Sequence, residues 1–248
     1  MEAKTVCLEE VQKELYELMV IVHDFCERNE IDYSLIGGSL LGAIRHQGFI
    51  PWDDDFDIML SRENFEKFRR CFDNNPPEKC IVERDQWVYR VRRTHRTKGY
   101  IPSIDLFILD KAPESSVKNM IQNTALKILQ GMLRNNEKGG NYSFIYRVLI
   151  VGSSILGKYL NKEKLFERYD QISQWGRNED SGKTAIYNDR FKLIGLRYDD
   201  SLIGNYVYHR FEESEFKIVE RYEDYLTLQF GDYMKLPPEK DRVPQHIF

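Results

Sequence analysis

Cysteine is scarce in this 248-residue chain. Four occur, at positions 7, 26, 71 and 80, with no CxxC pair and no spacing that gathers zinc ligands. That excludes a zinc ribbon and a disulfide framework. Each lies in or beside an apolar stretch and is expected to be a small buried residue in a reducing compartment. The first fifteen residues contain no apolar core of a secretory signal, so a cytoplasmic protein is expected. Long hydrophobic runs are lacking too. The most apolar window, Phe144–Leu160, is interrupted by Arg147 and Lys158 and is too short to span a bilayer. It reads as a buried helix, with contact at a membrane surface as the alternative. A basic excess is also missing, since the formal net charge is −4, which argues against nucleic acid as a partner. No repeat or low-complexity run is present.

What the chain does have is material for a core. Apolar residues make up 42%, aromatics 13% and charged residues 31%, a balance that suits a folded α/β protein with decorations or a small helical lobe. Leu8, Val11, Leu15, Leu18, Val22 and Phe25 recur at helical spacing and predict an amphipathic helix over 8–30. A short strand over 31–36 ends at Gly37-Gly38, and Ser39 is expected to cap a short helix over 40–46. A loop over 47–54 leads to a strand over 55–60, and Ser61 caps a helix over 62–73. Strands are expected over 81–84, 87–93 and 104–109. Residues 115–178 read as mainly helical with a break at 137–141, and 186–219 as strands and loops. A helix over 219–230 precedes an extended, proline-containing tail.

The chemistry concentrates in Ile36–Leu60, IGGSLLGAIRHQGFIPWDDDFDIML. A strand ends in Gly37-Gly38-Ser39 and leads into a helix start, a geometry that offers backbone N–H groups and a partial positive charge to a phosphate. Asp55 and Asp57 flank one apolar residue, so in a strand both carboxylates face the same way. Paired oxygen ligands of this kind suit Mg²⁺, which commonly takes one or two carboxylates and completes its shell with substrate phosphates. Asp105 stands among apolar neighbours in Ile104-Asp105-Leu106-Phe107 and needs a partner, which a metal would supply. Each feature has a plainer reading. A GGS turn is often only a turn, an acidic run is often a solvated loop or a cap, and Asp105 has Arg90, Arg92 and Arg93 as alternative partners. Together they are more specific, because four acids in five positions repel one another unless a cation offsets them.

Residues 33–60 resemble the signature of the LicD family, whose members include bacterial phosphocholine transferases and fukutin-related ribitol-phosphate transferases. The matching residues are Gly37 to Gly42 (GGSLLG), Arg45-His46, Gly48, Ile50 to Asp55 (IPWDDD) and Asp57. A second match lies in Tyr225-Leu226, Phe230 to Met234 (FGDYM), Leu236-Pro237-Pro238 and His246. The sequence departs from the family where a proline-containing strand often precedes the late helix; here it reads Lys217-Ile218-Val219-Glu220-Arg221.

The resemblance implies an α+β fold with a nucleotidyltransferase-like mixed β-sheet core flanked by helices and an additional helical region. The expected organisation is a core over 1–112, a helical lobe or insertion over 113–180, and a segment over 181–248 that packs back on the core. It implies Mg²⁺, with Mn²⁺ as the alternative, held by Asp55, Asp57 and Asp105, and a phosphate loop at Gly38 and Ser39. The donor it suggests is CDP-choline or another CDP-alcohol. The acceptor would be a hydroxyl of a cell-surface glycan, such as lipopolysaccharide, teichoic acid or capsule, or of its glycolipid precursor, approached from the cytoplasm at the inner membrane face. Arg45 and His46 add positive charge beyond the turn, or Arg45 pairs with a loop acid. Arg90 and Arg92 share a strand face and either neutralise phosphate or act as counter-ions to the aspartates. Trp52 either packs or contacts a quaternary ammonium group. Nucleotidyl transfer with release of pyrophosphate, and a non-catalytic nucleotide- or glycan-binding module, are the rival readings.

Overall fold

The structure is a computed structural model that describes residues 7–95, 100–134, 152–154 and 157–244. His246, the break at 137–141 and most of the apolar window over 144–160 lie outside the described residues. The chain forms two compact units. The first comprises Met1–Glu83, Tyr89–Phe107 and Ser201–Phe248, the second Arg84–Val88 and Ile108–Asp200.

In the first unit, helix α1 (Leu8–Arg28) buries the expected stripe, including Leu15, Leu18, Val22 and Phe25. Helix α3 (Arg62–Asn74) meets it with Phe65, Phe68 and Phe72. The Phe25 ring stands edge-on to Phe68 at 5.3 Å and to Phe72 at 5.4 Å. Burial of each such ring contributes roughly 1.5–3 kcal/mol. Ser61 caps α3 as expected, its hydroxyl accepting the Asn64 N–H at 3.2 Å. The strands are β1 (Ser34–Leu35), β2 (Asp57–Ser61), β3 (Cys80–Asp85), β4 (Val88–Arg93) and β5 (Ser103–Lys111), and their order is β1-β2-β5-β4-β3. β4 runs antiparallel to β5, with Arg90 opposite Asp105. A late hairpin, β8 (Tyr206–Phe211) with β9 (Ser214–Val219), supplies Phe211 and Phe216 to a cluster with Phe49 and Phe56. Helix α7 (Tyr222–Phe230) follows it.

The second unit holds the end of β5, which pairs with β6 (Lys183–Ile186), which pairs in turn with β7 (Arg197–Asp199). Helices α4 (Ser116–Leu133) and α5 (Lys162–Ser173) pack together, and a short helix α6 (Asp200–Ile203) bridges the boundary in sequence. Gln122 on α4 donates to the backbone carbonyls of Ile172 and Ser173 at 2.7 and 3.1 Å. The fold is therefore α+β, a curled sheet flanked by helices, as expected. Among the described residues no helix is long and apolar enough to cross a membrane.

Four local expectations are corrected. Helix α2 spans Gly37–His46, so Ser39 lies inside its first turn rather than at its cap, and Ile36 takes the cap position without a side-chain bond. The sheet pairing of β2 begins at Asp57, which leaves Asp55 in the extended segment before it. Val219 ends β9 instead of opening the late helix, because its N–H is taken by the Ser34 hydroxyl at 2.9 Å. Cys26 and Cys80 are buried, but Cys71 is half-buried and Cys7, at the cap of α1 before its apolar stripe begins, is exposed.

Candidate functional site

The site is built where the start of α2 meets the acidic run. Gly37 takes φ +58°, a left-handed conformation that glycine adopts at little cost. It lets the chain turn from β1 into α2. A Cβ at Gly37 would stand 3.5 Å from Asp57 Oδ2, and one at Gly38 would stand only 2.5 Å from Asp53 Oδ2. Glycine at 38 thus lets the backbone approach the acids more closely than any side chain permits. Ser39 is buried, and its hydroxyl accepts the Asp57 N–H at 2.9 Å, while Ile36 N–H donates to the Asp57 carbonyl at 3.2 Å. The glycine turn and the second acid of the Asp-x-Asp are therefore held to one another by two hydrogen bonds.

The acidic run itself is pinned from below. Gln12 on α1 donates to the carbonyls of Ile50 and Asp53 at 3.2 and 2.9 Å. Asp54 is 2% exposed. The Asp53 carboxyl is pushed up to about 8 by burial, by the charge of Asp55 and a hydrogen bond with it, and by Asp54. The ionised form of Asp53 is thus disfavoured beside the charges of Asp55 and Asp54 in a poorly solvated place. The Tyr100 phenol is raised by burial and by the charges of Asp54, Asp55, Asp105 and Glu14.

Asp105 is joined to this loop by its backbone, its N–H donating to the Phe56 carbonyl at 3.0 Å. Of the two kinds of partner expected for its side chain, an arginine is in place. Arg90 binds it in a fork, Nε to Oδ1 at 2.6 Å and Nη2 to Oδ2 at 3.2 Å. Arg92 pairs with Glu83 at 2.5 Å. Arg45 donates to His46 Nε2 and to the Tyr233 carbonyl, both at 3.0 Å, rather than to a loop acid. Burial, and then the Arg45 charge, hold the His46 imidazole below its ordinary value, in keeping with its neutral acceptor nitrogen. Trp52 has His46 at its edge, with ring centroids 6.4 Å apart, and Arg242 over its ring at 5.6 Å.

Among the described residues no three His, Cys, Asp or Glu side chains converge as a ready cluster of metal ligands. The donor set nonetheless fits a hard divalent cation. All the groups offer oxygen, the crowding of Asp53 by the Asp55 and Asp54 charges is of the kind that a cation relieves, and Mg²⁺ needs only one or two carboxylates when phosphates supply the rest. Sequence reasoning passed over Gln12, Tyr100 and Arg242, and did not count Asp53 among the metal ligands. Only Arg242 had a signal, in the matched tail. No local pattern in the sequence ties Tyr100 to the acids. A separate cavity of about 560 Å³, lined by residues such as Phe25, Arg28, Pro77 and Arg93, contains none of the expected residues.

The profile of the LicD/FKTN/FKRP nucleotidyltransferase domain matches residues 30–131, the stretch that carries the glycine turn, the acidic run and Asp105. Along 277 aligned positions the chain is 26% identical to the lipopolysaccharide cholinephosphotransferase LicD of Haemophilus influenzae, covering 98% of this chain and 97% of that protein. It is 44% identical over 107 residues to an uncharacterized protein of Rickettsia typhi, covering 42% of this chain and 31% of the relative. An uncharacterized protein of Rickettsia prowazekii is 50% identical over 50 residues, 20% of this chain and 19% of its own. The domain match falls on the turn and acids described above and the similarity to LicD extends end to end, so residues 30–131 carry a LicD-type nucleotidyltransferase domain.

Proposed function

We propose that the chain is a phosphotransferase that moves phosphocholine from CDP-choline to a hydroxyl of a cell-surface glycan, lipopolysaccharide or its lipid-linked precursor. One observation carries this reading: near-full-length similarity to a lipopolysaccharide cholinephosphotransferase, in a chain whose glycine turn lies against Asp53 and Asp57 of its acidic run. Balanced, the reaction forms a bond between the acceptor oxygen and the distal phosphorus of the donor. It breaks the bond from that phosphorus to the bridging oxygen, and CMP leaves with the electron pair. The acceptor proton goes to a carboxylate.

Phosphoryl chemistry asks for position and charge neutralisation more than covalent help. Asp55 and Asp57 would hold Mg²⁺, with Mn²⁺ as the alternative and Asp105 as a third ligand or the base. When bound, the ion neutralises charge on the donor phosphates and on the leaving oxygen. Gly38 and Ser39 present the start of α2 to the donor, where helix N–H groups favour an anion. Arg90 holds the Asp105 carboxylate oriented.

The test is CMP release from CDP-choline in the presence of Mg²⁺ and a lipopolysaccharide acceptor, for the wild type and Asp57→Ala. Metal-dependent CMP release that falls by at least about 100-fold in the variant supports the reading. Pyrophosphate released from a nucleoside triphosphate instead would convert it to nucleotidyl transfer. Absence of metal-dependent binding of any CDP-alcohol by calorimetry would overturn it.

A further inference from the structure

The C-terminal segment returns to the acidic loop through two arginines. Arg45, in the last turn of α2, is half-buried and spends one N–H on His46 and one on the Tyr233 carbonyl. Arg242, half-buried in the tail, spends its Nε on the Pro237 carbonyl at 2.9 Å and lies over the Trp52 ring. Among the described residues neither guanidinium has a carboxylate within ion-pair distance. They nevertheless lie close enough that Arg242, after burial, depresses Arg45. Two partly desolvated cations that feel each other without an acid between them are costly unless an anion completes them. Trp52 and the two backbone carbonyls hold the guanidinium groups before any ligand arrives, and among the described residues Arg45 Nη2 and both terminal nitrogens of Arg242 make no hydrogen bond, which leaves planar donor pairs of the kind that matches phosphate oxygens. Trp52 is also the residue directly before Asp53, so this cationic pair adjoins the acidic run.

We propose that Arg45 and Arg242 form a phosphate-binding site, closed on one side by the tail segment 233–242, that takes the diphosphate of a nucleoside-diphosphate-linked donor. The assignment to the donor rests on the reading above; the anion site does not. The tail is then part of the binding machinery, and its register at Tyr233 and Pro237 sets where Arg242 stands.

Calorimetry with inorganic pyrophosphate in EDTA, on the full chain at low salt, tests the site without metal or turnover. The wild type is expected to bind, Arg242→Gln and Arg45→Gln each to bind at least about 10-fold more weakly, and the control Lys240→Gln to bind as the wild type. Thermal melts check folding, and Arg242→Lys, which keeps the charge but loses the fork, is expected to fall between. No binding by the wild type, or binding by both glutamine variants within twofold of it, overturns the proposal. Displacement of pyrophosphate by CDP-choline supports the donor as the source, whereas displacement by glycerol 3-phosphate alone overturns that assignment. CMP release with variants that bind pyrophosphate normally would sink the arginine site and spare the transferase reading. Loss of pyrophosphate binding in the variants, with no CMP release from any CDP-alcohol, would do the reverse.

Discussion

Gly38 and Asp53 approach so closely that a Cβ on Gly38 would lie 2.5 Å from Asp53 Oδ2. Gly38→Ala therefore forces the Asp53 carboxyl aside. The backbone there is helical, so alanine recovers up to about 1 kcal/mol of intrinsic helix preference and offsets part of the clash. The expected outcome is a melting temperature close to the wild type's together with a loss of at least about 10-fold in Mg²⁺-dependent CDP-choline affinity. Calorimetry beside a thermal melt checks it. Unchanged affinity would separate this turn from the donor.

The Arg90–Asp105 fork predicts coupling. Arg90→Gln takes the guanidinium from a carboxylate whose side chain is 22% exposed and should cost about 1–3 kcal/mol. In the double variant with Asp105→Asn, part of that loss should return, and urea unfolding of all four proteins measures the interaction. If the two losses simply add, the fork is not a stabilising contact.

Lys217 on β9 binds Glu27 at 2.8 Å and Asp32 at 2.9 Å. Burial raises the Glu27 carboxyl, but the bonds from Lys217 and Tyr208 outweigh it and hold the group below its usual value. A carboxylate with a depressed folded pKa stabilises the protein above its unfolded pKa, and that stability is lost as pH falls through the folded one. Both acids are partly exposed, so Lys217→Met should cost only about 1–2 kcal/mol at pH 7. The gap between variant and wild type should narrow below about pH 4. A gap that is flat across that range would mean that packing, not charge, is responsible.

Asp189 has the opposite sign. Burial pushes its carboxyl from 3.8 up to about 6, against the favourable Arg190 N–H and charge. The folded state therefore disfavours the ionised form. No penalty exists below about pH 4, it grows between about 4 and 6, and it is constant above. Asp189→Asn keeps an oxygen for the Arg190 N–H, now at 2.5 Å. The variant should be more stable than the wild type by roughly 1–3 kcal/mol at pH 7.5 and equal to it near pH 4. Urea melts at pH 4, 5.5 and 7.5 decide the matter, and a variant weaker at pH 7.5 would refute the sign.

Periodicity alone determined the elements that carry one strong pattern. The Leu15, Leu18, Val22 and Phe25 stripe dictates α1, the three phenylalanines and Ser61 dictate α3, and the glycine pair ahead of a run of aspartates marks the site. These depend on near neighbours in the chain, where spacing and side-chain chemistry are enough. Tertiary structure decided the rest. Whether Ser39 caps its helix or takes the Asp57 N–H depends on a strand 18 residues away, and whether Val219 begins a helix or ends a strand depends on Ser34, 185 residues before it. The raised Asp53 carboxyl follows from the burial of the loop beside Asp55 and Asp54, and Arg45 feels the charge of Arg242 only because the tail returns to Trp52. Local spacing fixes which groups a segment offers; only packing fixes how dry they are and which distant group faces them, and those two quantities set charge and chemistry at this site.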